Sequence, residues 1–290
     1  MKKGLILVNA FYVSDSVDKQ STAIRNEFLR RGIEVDIKQI NDIPVYIDNG
    51  NVISKYKNYD FCLFLDKDKH ISHLLEKTGI KIFNNPNAIE DCDDKMLTYI
   101  RLSNNGISMP KTISSPLCYF EADTKVFQDK VLEELGLPLI IKENYGSLGR
   151  QVYKVDTEEE FYKLSSSFKH LPHLYQQYIS SSKGRDVRVI LVDHKVVAAM
   201  ERCNNTDFRS NIALGGHGTK IEKLDPKFEE VAIKASEILN LDYCGVDIMF
   251  GENNEPILCE VNSNAFFNEI TKVTGIDVCK ILVDFLMTKI

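Results

Sequence analysis

The stretch from Gly245 to Asn262 constrains the fold most strongly, because it predicts two short strands joined by a turn. A turn centred on Asn253 and Asn254 sets Asp247 opposite Glu260. The same register predicts two further pairs, Ile248 with Cys259 and Phe250 with Ile257. Since strand side chains alternate between two faces, one face is predicted to be apolar: Val246, Ile248, Phe250, Ile257, Cys259 and Val261.

The other face of this hairpin carries Asp247, Glu260 and Asn262. Directly opposed residues have Cβ atoms roughly 5 Å apart. Two bare carboxylates there would repel by about 3 kcal/mol at an effective dielectric constant of about 20. A divalent cation would relieve the repulsion, and two carboxylates with an amide oxygen are ligands suited to Mg²⁺ or Mn²⁺. The alternative interpretation is an ordinary solvated acidic face.

Composition limits the class of protein. The 290 residues are 43% hydrophobic and 27% charged, which is enough for a buried core and suggests about two domains. The net charge of −6 does not indicate binding to nucleic acid or to a membrane, and no apolar run has the length of a membrane span. The apolar part of the N-terminus, Leu5 to Val8, is too short for a signal peptide. Seven cysteines without a C-x-x-C motif predict a reduced, cytoplasmic protein.

Residues 1–94 alternate between strand and helix patterns, which predicts an open parallel sheet. Strands are expected at 4–9, 33–40, 60–65 and 80–83, with helices at 16–31 and 71–77. Asn9 and Ala10 follow the first strand, at the carboxyl end where open α/β sheets bind ligands. No G-x-G-x-x-G motif follows that strand, so a dinucleotide site is not expected.

The central part of the chain carries two lysines and a glycine loop. A helix predicted over 88–104 carries Lys95, and an apolar strand ends with Lys142 before the loop 146–149. Glycines let backbone N–H groups close on phosphate oxygens, and a lysine supplies a point charge. The alternatives are a surface lysine and the turn of an ordinary hairpin. Helices are also predicted at 125–135 and 158–168.

The C-terminal part is predicted to be richer in strands. A strand at 174–179 leads into a flexible link at 180–184, and a hairpin follows with strands at 186–192 and 195–202. Residues 207–218 are predicted to form a loop over a site, followed by a helix at 226–239 and a closing helix at 276–287.

Taken in order, these motifs resemble the ATP-grasp fold. They are Asp94-Lys95, Ile140-Ile-Lys142 with its glycine loop, Gln176-Gln-Tyr-Ile179, Asp186-Val-Arg188, Glu201-Arg202, Phe208-Arg-Ser-Asn211 and Asp247 with Glu260-Val-Asn262. More narrowly, the chain is similar to the ribosomal protein S6 modification type of alpha-L-glutamate ligase over nearly its full length. The resemblance implies an α/β protein, with α+β character in its C-terminal part. An N-terminal open α/β domain (1–94) would precede an ATP-grasp fold of two subdomains, central (95–180) and C-terminal (181–290).

The resemblance also implies roles for individual residues. Lys95, Lys142 and the loop residues Gly146, Ser147 and Gly149 would contact the phosphates of ATP. Gln176, Gln177, Tyr178 and Ile179 would form the hinge that reads adenine, mainly through the backbone of Gln177 and Tyr178. Asp186 would hold the ribose or orient the site, and Arg209, Ser210 and Asn211 would line the phosphate path. Asp247, Glu260 and Asn262 would hold two Mg²⁺ or Mn²⁺ ions bridged by Glu260. Arg202, Arg188 and Asn211 would be catalytic.

The implied activity is ATP-dependent formation of an amide or peptide bond through an acyl phosphate, with release of ADP and phosphate. Glutamate would be the amine donor, and a protein, peptide or small molecule would supply the carboxylate. A phosphotransferase and a silent nucleotide-binding module are the alternatives, and a homo-oligomer is expected from resemblance alone. The chain departs from the family at Asn262-Ser-Asn-Ala-Phe-Phe267, which leaves the acceptor open. Phe266 and Phe267 would either wall a different substrate or pack against the last helix.

Overall fold

The fold begins with a four-stranded parallel sheet, in agreement with the expected open α/β arrangement. A computed structural model describes residues 2–12, 14–42, 44–56 and 58–290. The first elements are β1 (Lys3–Val8), α1 (Asp15–Arg30), β2 (Glu34–Gln39), β3 (Val45–Asp48), β4 (Asn51–Ser54), β5 (Phe61–Leu65), α2 (Lys69–Glu76) and β6 (Lys81–Phe83). The sheet order is β2-β1-β5-β6, with every neighbouring pair parallel. Alternate residues of β1 enter two different cores, as in a sheet that is covered on both faces.

The hairpin of β3 and β4 is absent from the sequence prediction. Its strands are only four residues long and largely exposed, so they show little apolar pattern. The local signal is the turn at Asn49-Gly50, where both residues have positive φ. Asn-Gly is the pair that such two-residue hairpin turns favour.

The single helix expected over 88–104 is instead two helices, α3 (Pro86–Asp93) and α4 (Lys95–Leu102). Asp94 leaves the helical conformation, with φ −87° and ψ 108°, and its carboxylate accepts from the backbone N–H groups of Met96 and Leu97. The side chain therefore caps α4. The break places Lys95 in the first turn of a new helix, where its backbone N–H donates to Asn144 O at 3.0 Å.

A second sheet contains β7 (Thr112–Ser114), β8 (Leu139–Glu143), β9 (Val152–Val155) and β10 (His173–Gln177) in the order β7-β10-β8-β9. All its pairs are antiparallel. Helices α5 (Lys125–Leu135) and α6 (Glu158–Phe168) contribute to a core on one face, which includes Leu139 and Ile141. Alternation along β8 leaves Ile140 and Lys142 on the other face.

The third sheet is antiparallel and follows the order β13-β12-β11-β14-β15. Its elements are β11 (Arg185–Val192), β12 (Lys195–Cys203), β13 (His217–Lys220), α7 (Pro226–Ile238), β14 (Tyr243–Phe250), β15 (Pro256–Asn262), α8 (Asn268–Thr274) and α9 (Val278–Lys289). One face packs on α7 together with the segment Ala88 to Ile107. The other face packs on α8, α9, α1 and the parallel sheet. The division of the chain into an N-terminal domain and two subdomains, with boundaries at residues 94 and 180, stays a prediction.

The hairpin of β14 and β15 has Asp247 opposite Glu260, as predicted, but the other two predicted pairs are wrong. Ile248 lies opposite Leu258, and Phe250 lies opposite Pro256, because Cys259 is an extra residue in a β-bulge. A bulge changes which face the following residues occupy. Leu258 is consequently buried in the core, whereas Ile257 and Cys259 are half-buried.

The segment 180–184, predicted to be a flexible link, is instead ordered by hydrogen bonds. Residues Ser180–Ser182 form one 3₁₀ turn. Ser181 Oγ donates to Phe250 O at 2.9 Å, and Ser182 Oγ accepts from Phe250 N at 3.0 Å and donates to Arg185 O. These bonds tie the segment that follows β10 to the end of β14 and the start of β11 in the third sheet.

Phe266 and Phe267 divide between the two roles considered for them. Phe267 is buried in the core against Tyr243, and its backbone N–H donates to Gln20 Oε1 at 3.1 Å. Phe266 is half-buried and lines a cavity. Within the described part of the chain, no helix is long and apolar enough to cross a membrane.

Candidate active site

Strand register places five of the predicted site residues on one face of the third sheet. Asp186 lies opposite Arg202, Arg188 lies opposite Asp247, and Asp247 lies opposite Glu260. Alternation continues along β11, where Val187 and Val189 enter the core beneath α7. The charged residues therefore share the face that looks toward the parallel sheet.

Two arginines and two aspartates form a buried network on this face. Arg202 Nε and Nη2 donate to the two oxygens of Asp186 at 2.8 and 2.5 Å. Arg188 donates to both oxygens of Asp247 at 2.6 Å, and Arg202 Nη2 lies 3.0 Å from Asp247 Oδ2. Burial raises the pKa of Asp247, but the charges of Arg188 and Arg202 outweigh it and hold that pKa below its ordinary value.

This network changes the electrostatic argument for the hairpin. The repulsion expected between Asp247 and Glu260 is relieved on the Asp247 side by arginines from β11 and β12. Asp186 forms an ion pair with Arg202, and its predicted ribose contact and orienting role both stay predictions.

The two predicted phosphate lysines are both buried, Lys95 to 8% exposure and Lys142 to 7%. Lys95 Nζ donates to Gly146 O at 3.2 Å and lies 3.9 Å from Glu260 Oε1. Burial lowers the pKa of Lys95, and Glu260 opposes that shift. Among the described residues, none pairs with Lys142 Nζ or accepts a hydrogen bond from it. Lys142 lines the first cavity, so its ammonium is suited to receive an anion bound there.

The glycine loop requires its glycines. Gly146 and Gly149 have φ of 144° and 72°. A Cβ on Gly146 would lie 2.5 Å from Gln151 Oε1, and one on Gly149 would lie 2.8 Å from Asn211 Oδ1. The N–H of Ser147 donates to Gln151 Oε1 at 3.2 Å. The loop is thus built tightly against its neighbours.

Arg209 connects this loop to the segment 207–218. Its guanidinium donates to both oxygens of Asp207 at 3.0 and 2.7 Å and to Gly149 O at 2.5 Å. Ser210 is buried and Asn211 is half-buried beside it. Arg209 thus joins the glycine loop to the segment 207–218. Its predicted phosphate contact stays a prediction.

The predicted hinge follows β10. Gln176 is buried and its Nε2 donates to Thr112 Oγ1 at 2.9 Å. The backbone N–H of Gln177 donates to Lys111 O at 2.9 Å, so that group is not free to contact adenine. Tyr178 OH is buried without a partner among the described residues, and its ring lies near Phe208 and Lys154 Nζ.

Two adjoining cavities collect the predicted residues. All of them except Arg188 and Asn262 line the first cavity, and those two line the second. Arg202, Asn211 and Glu260 line both cavities, together with Ser147 and Leu148. The junction therefore brings together residues from the glycine loop, the arginine network and the hairpin.

The hairpin donors fit a divalent cation. Asp247 and Glu260 supply carboxylate oxygens with unused lone pairs, and Asn262 makes no side-chain hydrogen bond with the described residues. Hard oxygen donors of this kind suit Mg²⁺ or Mn²⁺. No group of three or more His, Cys, Asp or Glu residues that could hold a metal occurs in the described ranges, and the proposed set has two carboxylates with the amide of Asn262 as its third donor.

Several lining residues were missed by sequence reasoning. In the first cavity they include the apolar residues Ile140, Val152 and Met249, the polar residue Gln151, and Ser182 and Arg185, which follow the hinge. In the second they include Tyr12, Asp66, Lys67 and Asp93. Alternation along β8 and β14 could have indicated Ile140 and Met249, which share a face with Lys142 and Asp247.

The sequence model of the RimK-like ATP-grasp domain matches residues 92–286. The chain belongs to this family. Its glycine loop, hinge, arginine network and hairpin all fall inside the matched range, whereas the parallel sheet lies before it.

Named relatives agree with this membership. The chain is 32% identical to human N-acetylaspartylglutamate synthase A over 226 residues and 34% identical to human beta-citrylglutamate synthase B over 223 residues. These matches cover 77% and 76% of this chain but 56% of each relative, so the chain spans just over half their length. A probable alpha-L-glutamate ligase of Maridesulfovibrio salexigens is 33% identical over 214 residues, which cover 73% of this chain and 68% of that protein.

Solved structures show the same fold over nearly the whole chain. The RimK domain ATP-grasp protein of Sphaerobacter thermophilus superposes with a TM-score of 0.74 at 17% identity and covers 98% of each chain. D-alanine–D-alanine ligase of Bacillus anthracis gives 0.73 at 18% identity, covering 99% of this chain and 97% of that one. At such identities the likeness concerns the fold alone, and it agrees with the predicted ATP-grasp architecture.

Proposed function

We propose that this protein is an ATP-dependent carboxylate–amine ligase that forms an amide or peptide bond. The observation that carries the proposal is the junction of the two cavities. One cavity has buried lysines and a glycine loop, the other reaches the edge of the parallel sheet, and Arg202, Asn211 and Glu260 line both. A nucleotide in the first cavity would place its terminal phosphate toward a substrate in the second.

The proposed reaction has two steps. A carboxylate oxygen attacks the γ-phosphorus of ATP, the bond from that phosphorus to ADP breaks, and an acyl phosphate forms. The amine nitrogen then attacks the carbonyl carbon, the bond from that carbon to the phosphate oxygen breaks, and the nitrogen loses a proton. Charge develops on oxygens in both steps, and fixed cations stabilise it.

Residues of this chain are assigned to that chemistry as follows. Lys95, Lys142 and the N–H groups of the 146–149 loop would hold the phosphates, except the N–H of Ser147, which donates to Gln151. Arg202 and Arg188, held rigidly by Asp186 and Asp247, would stabilise the transferring phosphoryl group and the tetrahedral intermediate, with Asn211 beside them. Mg²⁺ or Mn²⁺ held by Asp247, Glu260 and Asn262 would supply further positive charge.

Glutamate is the proposed amine donor. The names of the relatives support it, since they describe synthases of N-acetylaspartylglutamate and of beta-citrylglutamate and a probable glutamate ligase. The carboxylate acceptor is left open. All seven cysteines are free, which supports the proposal that the protein works in the reducing cytoplasm.

The test measures ADP release and product mass with Mg²⁺, ATP, glutamate and a panel of carboxylic acids. A ligase releases ADP only when glutamate and a carboxylic acid that it accepts are both present. The amide product is heavier than that acid by the mass of glutamate minus the mass of water. Lys142→Met should lower kcat/KM for ATP about 100-fold, whereas Lys130→Met, at an exposed position of α5, should not change it. A stable phosphorylated product, or full activity in Lys142→Met, would contradict the proposal.

A further inference from the structure

The glycine loop connects the second sheet with the rest of the molecule through polar contacts. Among the described residues, the hydrophobic core of that sheet is drawn from positions 113–175 alone and is separate from the cores of the other sheets. Two of the connecting contacts lie inside the range that the family model matches. Lys95 Nζ donates to Gly146 O at 3.2 Å, and Arg209 donates to Gly149 O at 2.5 Å.

A third contact comes from outside that range, from a helix of the parallel sheet. Lys69 is the first residue of α2, and its Nζ donates to Tyr145 OH at 3.3 Å. The same ammonium lies 5.0 Å from the centroid of the Tyr145 ring, which is a cation–π distance. Tyr145 directly precedes Gly146, so this contact holds the loop at the point where it begins.

Lys69 is itself held from α3. Its Nζ lies 3.8 Å from Glu90 Oε1, and Glu90 Oε2 lies 3.0 Å from His73 Nε2. Burial lowers the pKa of Lys69, but the Tyr145 hydroxyl and the nearby carboxylates outweigh it and raise that pKa. Lys69 therefore stays an ammonium, and Glu90 keeps that ammonium beside Tyr145.

The loop has reason to need such a contact. Gly146 and Gly149 both have positive φ, and glycine loses more conformational freedom on ordering than any other residue. A loop that is ordered before its ligand arrives loses less entropy when the ligand binds. A contact at the base of the glycine loop is therefore expected to strengthen the binding of phosphate in the first cavity.

We propose that Lys69 is a positioning residue for ATP, which holds the glycine loop over the first cavity through the side chain of Tyr145. The inference rests on the proposed function and deepens it, since it gives the parallel sheet a part in nucleotide binding. Loss of the contact lowers the fraction of molecules with an ordered loop. The consequence is a weaker apparent affinity for ATP without a change in the chemical step.

The test measures kcat, KM for ATP with Mg²⁺, and the calorimetric affinity for a non-hydrolysable ATP analogue. Lys69→Met should raise KM and weaken the analogue about 3- to 10-fold, with kcat unchanged. Lys69→Arg keeps a cation over the ring and should recover most of the loss. Lys77→Met, at an exposed position at the other end of α2, should change neither quantity.

Changes at Tyr145 show whether Lys69 acts through it. Tyr145→Leu should reproduce the loss, and Tyr145→Phe should fall between, because it keeps the ring and removes the hydroxyl. The double variant Lys69→Met with Tyr145→Leu should bind no more weakly than the weaker single variant, since both act through one contact. Additive losses would overturn the inference, as would a Glu90→Gln variant that reproduces Lys69→Met while Tyr145→Leu does not.

Trypsin cleavage after Arg150 reports on the loop itself. Arg150 directly follows the loop and is exposed. In the absence of nucleotide, Lys69→Met should be cleaved there several times faster than wild type, because cleavage follows the population of the open loop. Mass spectrometry identifies the site, and equal rates at Arg150 in the two proteins would contradict the positioning role.

Turnover separates this inference from the proposed function. If amide forms and both KM for ATP and the affinity for the analogue are unchanged in Lys69→Met, the inference is wrong and the ligase assignment stands. If Lys69→Met weakens binding of the analogue but no amide forms with any acid, the ligase assignment fails and the positioning role stands.

Discussion

Asp247→Asn and Glu260→Gln are chemically matched changes to which the structure assigns different costs. Both remove one negative charge from the hairpin and keep the shape of the side chain. Asp247 is 3% exposed and accepts three charged contacts, two from Arg188 at 2.6 Å and one from Arg202 at 3.0 Å. The side chain of Glu260 is 27% exposed, and among the described residues its one ion pair is with Lys95 at 3.9 Å.

The magnitudes follow from these surroundings. Removing one partner of a buried ion pair typically costs about 3–5 kcal/mol, because the other charge is left uncompensated. Arg202 keeps Asp186, so the loss in Asp247→Asn comes mainly from Arg188 and should be about 3 kcal/mol. A long, partly exposed pair is worth roughly 0–1 kcal/mol, which is the loss expected for Glu260→Gln. At about 2–4 °C per kcal/mol, only the first variant should show a large fall in Tm.

The assay is urea and thermal unfolding in EDTA without nucleotide, so that no bound metal contributes to stability. Turnover of ATP with Mg²⁺ is measured in parallel, and both variants should lose about 100-fold or more because both remove a proposed metal ligand. Separating stability from turnover in this way distinguishes the counter-ion role of Asp247 from its metal role.

Equal losses of stability in the two variants would refute the reasoning, since they would mean that the arginines do not depend on Asp247. Full turnover in Glu260→Gln would refute the metal assignment while leaving the ion network intact. Arg188→Met with Asp247→Asn offers a further check, because removing both partners should cost less than the sum of the single changes.

Two further predictions concern the core and the pH dependence of stability. Leu258→Ala should cost about 2–5 kcal/mol, because the bulge buries that side chain completely, and the half-buried Ile257→Ala should cost less than half as much; equal losses in urea unfolding would contradict the bulge. Burial lowers the pKa of His173, so the unfolded chain takes up a proton near pH 6.5 before the folded one does, and stability should fall as pH drops below that value. His173→Gln should flatten this fall, which denaturant midpoints between pH 7.5 and 5 would show, and an unchanged slope would contradict the assignment.

Local pattern was sufficient for much of the fold. Helix α5 has the predicted bounds 125–135, and α6 has the predicted bounds 158–168, where Thr157 caps the first turn. The parallel sheet followed from alternating strand and helix patterns. Period-two alternation put Asp247 and Glu260 on the same face. The predicted turn was one residue off, since Phe250 lies opposite Pro256, and the extra residue Cys259 brings Asp247 opposite Glu260. In each case the determining interactions lie within one element or between neighbouring strands.

Where prediction failed, a competing local interaction or a distant contact decided the outcome. The Asp94 carboxylate caps α4, and this local hydrogen bonding replaces the continuous helix that the apolar pattern predicted. Cys259 became a bulge, which reset the buried side of β15. Ser181 and Ser182, which favoured a flexible link by composition, were fixed by the backbone of Phe250.

The sequence by itself determined the residue types of the candidate site and their order, including the two lysines proposed to contact phosphate, the glycine loop and the hairpin acids. Only the tertiary structure decided how their charges are balanced, because an ion pair depends on distance in space and not along the chain. It showed that Asp247 is neutralised from β11 and β12. It also brought Asp66, at the carboxyl edge of the parallel sheet, and Asn264, after the hairpin, to the lining of one cavity.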